Sequence, residues 1–148
     1  MRILNTIRRT INRLFGYNCR HPSPRRKRPR TRYIHVNNIN RLMLGMVNKE
    51  RRKHHLPPVV FDHSLEMHSV IWSQHMAGEG ALSHSETQLE NCCMVTSDGS
   101  PTIITKQMFH QWKKSSKHWA WMMDASVKKA AFAYAKRGKF AYGAFSFE

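Results

Sequence analysis

Acidic residues are scarce in this chain of 148 residues: nine Asp and Glu stand against 25 Lys and Arg. None of the nine lies in residues 1–36, whereas eleven of the basic residues do. The net charge of +16 therefore divides into +11 over residues 1–36 and +5 over residues 37–148. Strong basicity is a property of an N-terminal arm, and the rest of the chain is only mildly basic. Cysteine is also sparse. Cys19, Cys92 and Cys93 are three in number, and the adjacent pair is poorly placed to bridge itself. That excludes a disulfide framework and a CxxC metal pair. It leaves small buried or idle thiols and points to a reducing compartment. Long apolar runs are missing as well. No run of seven or more follows the first charges, so no secretory signal is expected, and the opening segment is too short and too charged to span a membrane. The residues before Cys19 do not form a lipoprotein cleavage site, and no internal repeat is found.

What is present suits one ordinary domain with an appendage. Apolar residues make up 41% of the chain, a globular share, and the length allows one domain rather than two. From Met1 to Tyr17, Ile3, Leu4, Ile7, Ile11, Leu14 and Phe15 recur at steps of three and four, which makes one apolar stripe on a helix. Amphipathic, Arg-rich and acid-free is also the profile of an organelle transit peptide, and both readings stay open. His21–Arg32 holds three prolines among six Arg and Lys, and reads as an extended solvated linker. The domain boundary is expected between Arg32 and Asn37, giving an arm over 1–36 and a domain over 37–148.

Within the domain, Ile39, Leu42, Met43, Met46 and Val47 predict a helix from about Asn38 to His54. Lys49, Arg51, Arg52 and Lys53 lie at its C-terminal end, where cations suit the helix dipole, and Leu56-Pro57-Pro58 stops it. Val59-Val60-Phe61 is a short extended stretch. Asp62 reads as the N-cap of a second helix over His63–Ala77, with Gly78 as its stop. Leu65, His68, Ile71, Trp72, His75 and Met76 share one side of that helix, and His68 and His75 read as core-edge histidines. A long irregular stretch runs from Glu79 to Gly99, with Cys92–Thr96 able to pair as a strand. Ser100-Pro101 opens a third helix to about Lys114, and a short helix covers Lys117–Asp124. The chain closes in a hairpin turning at Lys136–Lys139. Phe140 and Tyr142 share one parity there and Phe145 and Phe147 the other, which predicts a bulge at Gly143.

The order of these pieces resembles the CAP superfamily of cysteine-rich secretory, antigen 5 and pathogenesis-related-1 proteins, in its short prokaryotic form. Asn48–Arg52 with Leu56–Asp62 and Leu65 is similar to the domain's opening, and Trp72–Ala77 to its second-helix signature. Ser83-His84-Ser85 is similar to the cleft-histidine motif, Glu90-Asn91 to the Glu-Asn pair, and Trp112 with His118 to the helix tryptophan and second cleft histidine. The match runs in order from Asn37 to Glu148. There are departures: Leu89 and Lys117 replace glycines, and Ser115 stands where fuller clefts carry a second glutamate.

The resemblance implies an α+β fold, an α-β-α sandwich in which a small antiparallel sheet is flanked by helices. It implies a cleft lined by His84, Glu90, Ser115 and His118, and a divalent metal such as zinc on His84 and His118. Two imidazoles from separate loops suit a borderline metal and leave positions open. Glu90 is then a third ligand, a group that orients an imidazole, or a general base, the catalytic residue if there is catalysis. The leading expectation is a binding or interaction domain, leaning away from an enzyme. A metal-assisted hydrolase of peptide or ester bonds is the alternative. A small molecule or lipid in the cleft is a further expectation from the family. The arm adds its own: contact with an anionic membrane surface, or less favoured, with nucleic acid, for which the domain itself has no motif. An intracellular or membrane-surface location goes with the absent signal and absent disulfides.

Overall fold

The structure, a computed structural model, describes residues 31–148, with side-chain surroundings from residue 38. The stripe expected over Met1–Tyr17 and most of the Pro/Arg linker lie outside the described residues. Helix α1 spans Thr31–Lys53, so it begins ahead of the expected start near Asn38. The last proline of the linker is Pro29, and nothing between it and Asn38 forbids helix. Ile39, Met43, Leu44 and Val47 face inward at steps of three and four.

Arg51, expected at the C-terminal end of the helix among cations that suit its dipole, is fully buried. Its guanidinium donates to the carbonyls of Pro57, Met122, Asp124 and Val127 at 2.7–3.2 Å. A planar fork with five N–H groups can close four loop carbonyls at once, which is why Arg is tolerated there without a carboxylate contact. Asn48 plays a similar part nearby, giving and taking a 2.9 Å bond with the backbone of Val59.

The short strand β1, Val60–Phe61, leads into helix α2, His63–Glu79. Asp62 caps α2 as expected, its carboxylate accepting from the amides of Ser64 and Leu65. The helix passes Gly78 and ends at Gly80, which takes the left-handed conformation at φ 72° and returns its N–H to Met76 O. Only at Gly80 does the backbone need a positive φ, so Gly80 rather than Gly78 is the stop. The inward face of α2 also differs from the expected one. Leu65, Ser69, Ser73, Met76 and Ala77 are buried, while Ile71 is 61% exposed. The sheet below offers Ala131, Ala133, Ala144 and Ser146, so small residues let the helix approach closely. Ser69 Oγ donates to Ala131 O at 2.9 Å and meets Ser146 Oγ at 2.8 Å.

Strand β2 runs Glu90–Thr96, helix α3 Pro101–Lys114 and helix α4 Ser116–Met122. Strands β3, Lys129–Arg137, and β4, Phe140–Phe147, form the closing hairpin, with Gly138 at φ 58° in its turn. The sheet order is β1-β3-β4-β2. Both longer pairings are antiparallel, as expected, and the edge strand β1 adds a parallel pairing with β3, so the sheet is mixed.

Helix α2 covers one face of the sheet, over Cys92, Tyr142 and Ala144. The other face carries the larger core, in which Trp112 stacks on Phe145 and meets Phe132 edge-on beneath α1 and α3. The chain is thus an α-β-α sandwich. The bulge expected at Gly143 does not occur: its pairings to Cys93 and Tyr134 keep the register of their neighbours. With both faces buried, aromatic residues of either parity find a core, and a change of parity needs no extra residue.

Candidate functional site

Glu90 is the first residue of β2, an edge strand, where the loop after α2 returns to the sheet. Side chains alternate along a strand, so Glu90 and Cys92 share the face under α2 while Asn91 and Cys93 turn to the opposite core. Glu90 is buried, and both of its carboxylate oxygens are held. The amide of Ser85 donates to Oε1 at 2.6 Å, and His68 Nε2 donates to Oε2 at 3.0 Å. The acceptor is a carboxylate, so the His68 proton sits on Nε2. Ser85 Oγ lies 3.3 Å from the same nitrogen. His68 is thus no idle core-edge residue but the helix's hold on the carboxylate. His75 is exposed and stacks on Trp72 at 4.7 Å between centroids.

His84, in the loop, brings Nδ1 to 3.8 Å from Glu90 Oε1 and leaves 62% of its side chain exposed. Trp72 ties that loop to α2 by donating from Nε1 to Ser83 O at 3.0 Å. The Cys92 thiol completes the group. One ligand atom each from His84, Glu90 and Cys92 lie within 4.8 Å of one another. Burial pushes the Cys92 thiol far up, and the neighbouring Glu90 carboxylate pushes it further by charge and by accepting from the thiol. The thiol therefore keeps its proton as long as no cation is near. Sequence reasoning places Cys92 among idle thiols. Its spacing of two from Glu90 on a strand is the signal that could have found it.

His118, in α4, is anchored from the other side. Its carbonyl accepts from Asn91 Nδ2 at 3.0 Å, and its ring Nδ1 lies 2.8 Å from Ser115 Oγ. Ser115 N-caps α4 by position, but its hydroxyl makes no cap bond and serves the imidazole instead. Burial, followed by the charge of His84, holds the His118 imidazole below its ordinary value, so it is neutral near pH 7. The arrangement brings His84 and Glu90 together, sets His118 where it feels His84, and puts Ser115 on His118. The second buried polar atom of Asn91, Oδ1, has no hydrogen-bond partner. An open depression lined by Glu79, Gly80, Arg137, Lys139, Phe140 and Tyr142 lies at the hairpin tip and shares no residue with this group.

Chemically, the group offers nitrogen, oxygen and sulfur donors within 4.8 Å of one another. It shows no activated hydroxyl with a completed relay. Ser115 has an imidazole partner, but among the described residues that imidazole has no carboxylate bond behind it. No helix among the described residues is long and apolar enough to cross a membrane.

The sequence model of the CAP family, described as the cysteine-rich secretory protein family, matches residues 44–147. No curated protein matches the chain. Among solved structures, an outer surface protein of Borrelia burgdorferi is similar, with a TM-score of 0.59 and 11% identity, covering 72% of this chain and 89% of that one. NaASP2, solved with Zn2+, gives a TM-score of 0.61 and 12% identity over 76% of this chain and 78% of its own. An extracellular protein of Bacillus anthracis with an SCP domain gives 0.56 and 14% over 87% of this chain and 45% of that chain.

Proposed function

The chain belongs to the CAP, or cysteine-rich secretory protein, family, and from that premise we propose that it is a binding domain whose cleft holds a divalent metal ion. The observation that carries the reading is the convergence of His84, Glu90 and Cys92, whose ligand atoms lie within 4.8 Å of one another. The donor set fits the ion: an imidazole, a carboxylate and a thiolate, formed when the metal displaces the thiol proton, are all zinc ligands, and a tetrahedral site uses three or four such groups. His118 is the fourth candidate. In the tautomer that puts its proton on Nδ1, beside Ser115 Oγ at 2.8 Å, its Nε2 carries a lone pair. One relative is named as solved with Zn2+, which agrees with the reading for that protein.

A bound divalent ion would supply positive charge and Lewis acidity at the cleft. The chain's own residues do the positioning. His68 and the Ser85 amide hold the Glu90 carboxylate so that Oε1 faces His84. Trp72 fixes the loop that carries His84. Ser115 orients His118, as outer hydrogen bonds do at most metal histidines. Binding is favoured over hydrolysis because both Glu90 oxygens already accept bonds, and no second carboxylate is left to serve as base at position 115. An intracellular or membrane-surface location accompanies this reading, supported by the free cysteines Cys92 and Cys93. The names of the Borrelia and Bacillus relatives, an outer surface and an extracellular protein, weigh the other way.

Metal analysis with calorimetric zinc titration tests the proposal on wild type beside His84→Ala, Glu90→Ala and His118→Ala. One equivalent of zinc is expected for wild type, with affinity lowered about tenfold or more in each variant. Identical titrations for wild type and His84→Ala would remove the metal reading. The hydrolase alternative gains ground only if the zinc-loaded chain turns over peptides or esters and Glu90→Ala abolishes that turnover while still binding zinc.

A further inference from the structure

We infer that Cys92 is itself a metal ligand, and that its sulfur makes this cleft a site for a thiophilic cation such as zinc rather than for manganese, magnesium or calcium. The inference deepens the metal reading above and rests on it.

Three observations carry it. The first is position. Cys92 lies two residues after Glu90 on the same strand, so its sulfur points to the side of the sheet that holds Glu90 and His68. Cys93, one residue on, is buried in the opposite core, the cluster that also holds Met108 and Trp112, and is not available. The second is distance. Zinc bonds of about 2.0–2.3 Å at tetrahedral angles place neighbouring donors about 3.3–3.8 Å apart. The three donors here lie within 4.8 Å, and the Nδ1–Oε1 pair is at 3.8 Å. Contraction of about an ångström completes the site, and the exposed His84 ring has the freedom to supply it.

The third is the chemistry of the thiol. Cys92 is buried and shares its face of the sheet with the Glu90 carboxylate, so a divalent cation between them would meet a carboxylate and, once its proton is displaced, a thiolate. The step is a ligand exchange without redox change: the S–H bond breaks, a sulfur–metal bond forms, and the proton leaves to solvent. Glu90 loses a thiol donor and gains a cation. Thiolate selects soft and borderline metals, while oxygen-preferring ions gain little from sulfur.

Cobalt(II) reports on this directly, because a cobalt–thiolate bond gives an intense charge-transfer absorption in the near ultraviolet and cobalt bound by nitrogen and oxygen does not. Full-length wild type titrated with cobalt(II) is expected to develop that band to one equivalent. The band is expected to persist in Cys19→Ser and Cys93→Ala and to vanish in Cys92→Ser, with thermal melts confirming that each variant is folded. Calorimetry with zinc in buffers of different ionisation enthalpy should show a released thiol proton in wild type that is absent in Cys92→Ser. Manganese should bind wild type and Cys92→Ser alike, and weakly. Cobalt bound without the band, or a band that survives Cys92→Ser, would overturn the sulfur ligand and leave the metal cleft standing. No binding of zinc or cobalt by wild type would overturn both. The wild-type band needs no variant, so a Cys92→Ser chain that failed to fold would not rescue the inference.

Discussion

Arg51 shows how much a single side chain can conceal. In the sequence it is one of four cations closing a helix, and the dipole accounts for all of them. In the structure it is the only one of them that is buried, and it joins the loop after α1 to the segment between α4 and β3 through four carbonyls. Removing it strands buried acceptors, each costing about 1–3 kcal/mol when unmatched. Arg51→Met keeps the volume and loses every donor. It should lower unfolding stability in urea by about 3–5 kcal/mol, seen as a lower midpoint at unchanged slope. Arg51→Lys should recover only part, since a compact ammonium lacks the planar fork. The same limit holds at the cleft. His84, Glu90 and His118 can be picked out because the motifs around them, Ser83-His84-Ser85, Glu90-Asn91 and Trp112 with His118, resemble those of the family. His68 and Cys92 cannot be weighed that way, because their role depends on which way α2 and β2 turn against each other. A histidine on a helix and a cysteine on a strand have no local mark of a shared neighbour.

Elements are more legible than their faces. Asp62 and Ser100 cap their helices where expected, and the closing hairpin turns at Gly138. The inward face of α2 escapes a rule that turns large apolar residues toward the core. Here the sheet is lined with alanine, and close approach rewards serine and alanine instead, leaving Ile71 outside. The hairpin makes the converse case. The change of aromatic parity across Gly143 is a change of core, not of register. Gly143 instead leaves room for its neighbours, since a Cβ placed there would come 2.5 Å from Met108 Sδ and 3.4 Å from Phe132 Cε2. Met108 is fully buried, so its thioether has no solvent to retreat into. Gly143→Ala should therefore destabilise by about 1–3 kcal/mol through overpacking. In the Met108→Ala background, which vacates the space, the same substitution should cost clearly less. A double-mutant cycle by urea denaturation measures the difference, and equal costs in both backgrounds would count against the contact.

At the scale of the whole molecule, the charge division argues for two separable parts. Residues 37–148 carry fourteen basic and nine acidic residues, and several of these meet: Glu50 pairs with Lys53 and Lys113, and Lys129 with Glu148. The eleven cations of residues 1–36 have no acid among them, so the arm cannot neutralise itself. On the helix that their spacing predicts, Ile3, Leu4, Ile7, Ile11, Leu14 and Phe15 would form an apolar stripe, and we propose that its partner is a membrane interface, an apolar layer beneath an anionic one. Each Lys or Arg near such a surface is worth about 1 kcal/mol, enough in sum for attachment without a spanning segment. The full chain is therefore expected to sediment with vesicles rich in anionic lipid, to be released by salt, and to ignore neutral vesicles. Deleting residues 1–30 keeps α1 from Thr31 onward and should abolish sedimentation while leaving zinc binding unchanged. Replacing Ile7 and Ile11 by aspartate should do the same with all eleven cations still present, because attachment needs the stripe as well as the charge. If those aspartates left vesicle binding intact, or if the chain shifted nucleic acid in salt-sensitive fashion and ignored vesicles, the arm would be a polyanion-binding segment and the membrane assignment would fall.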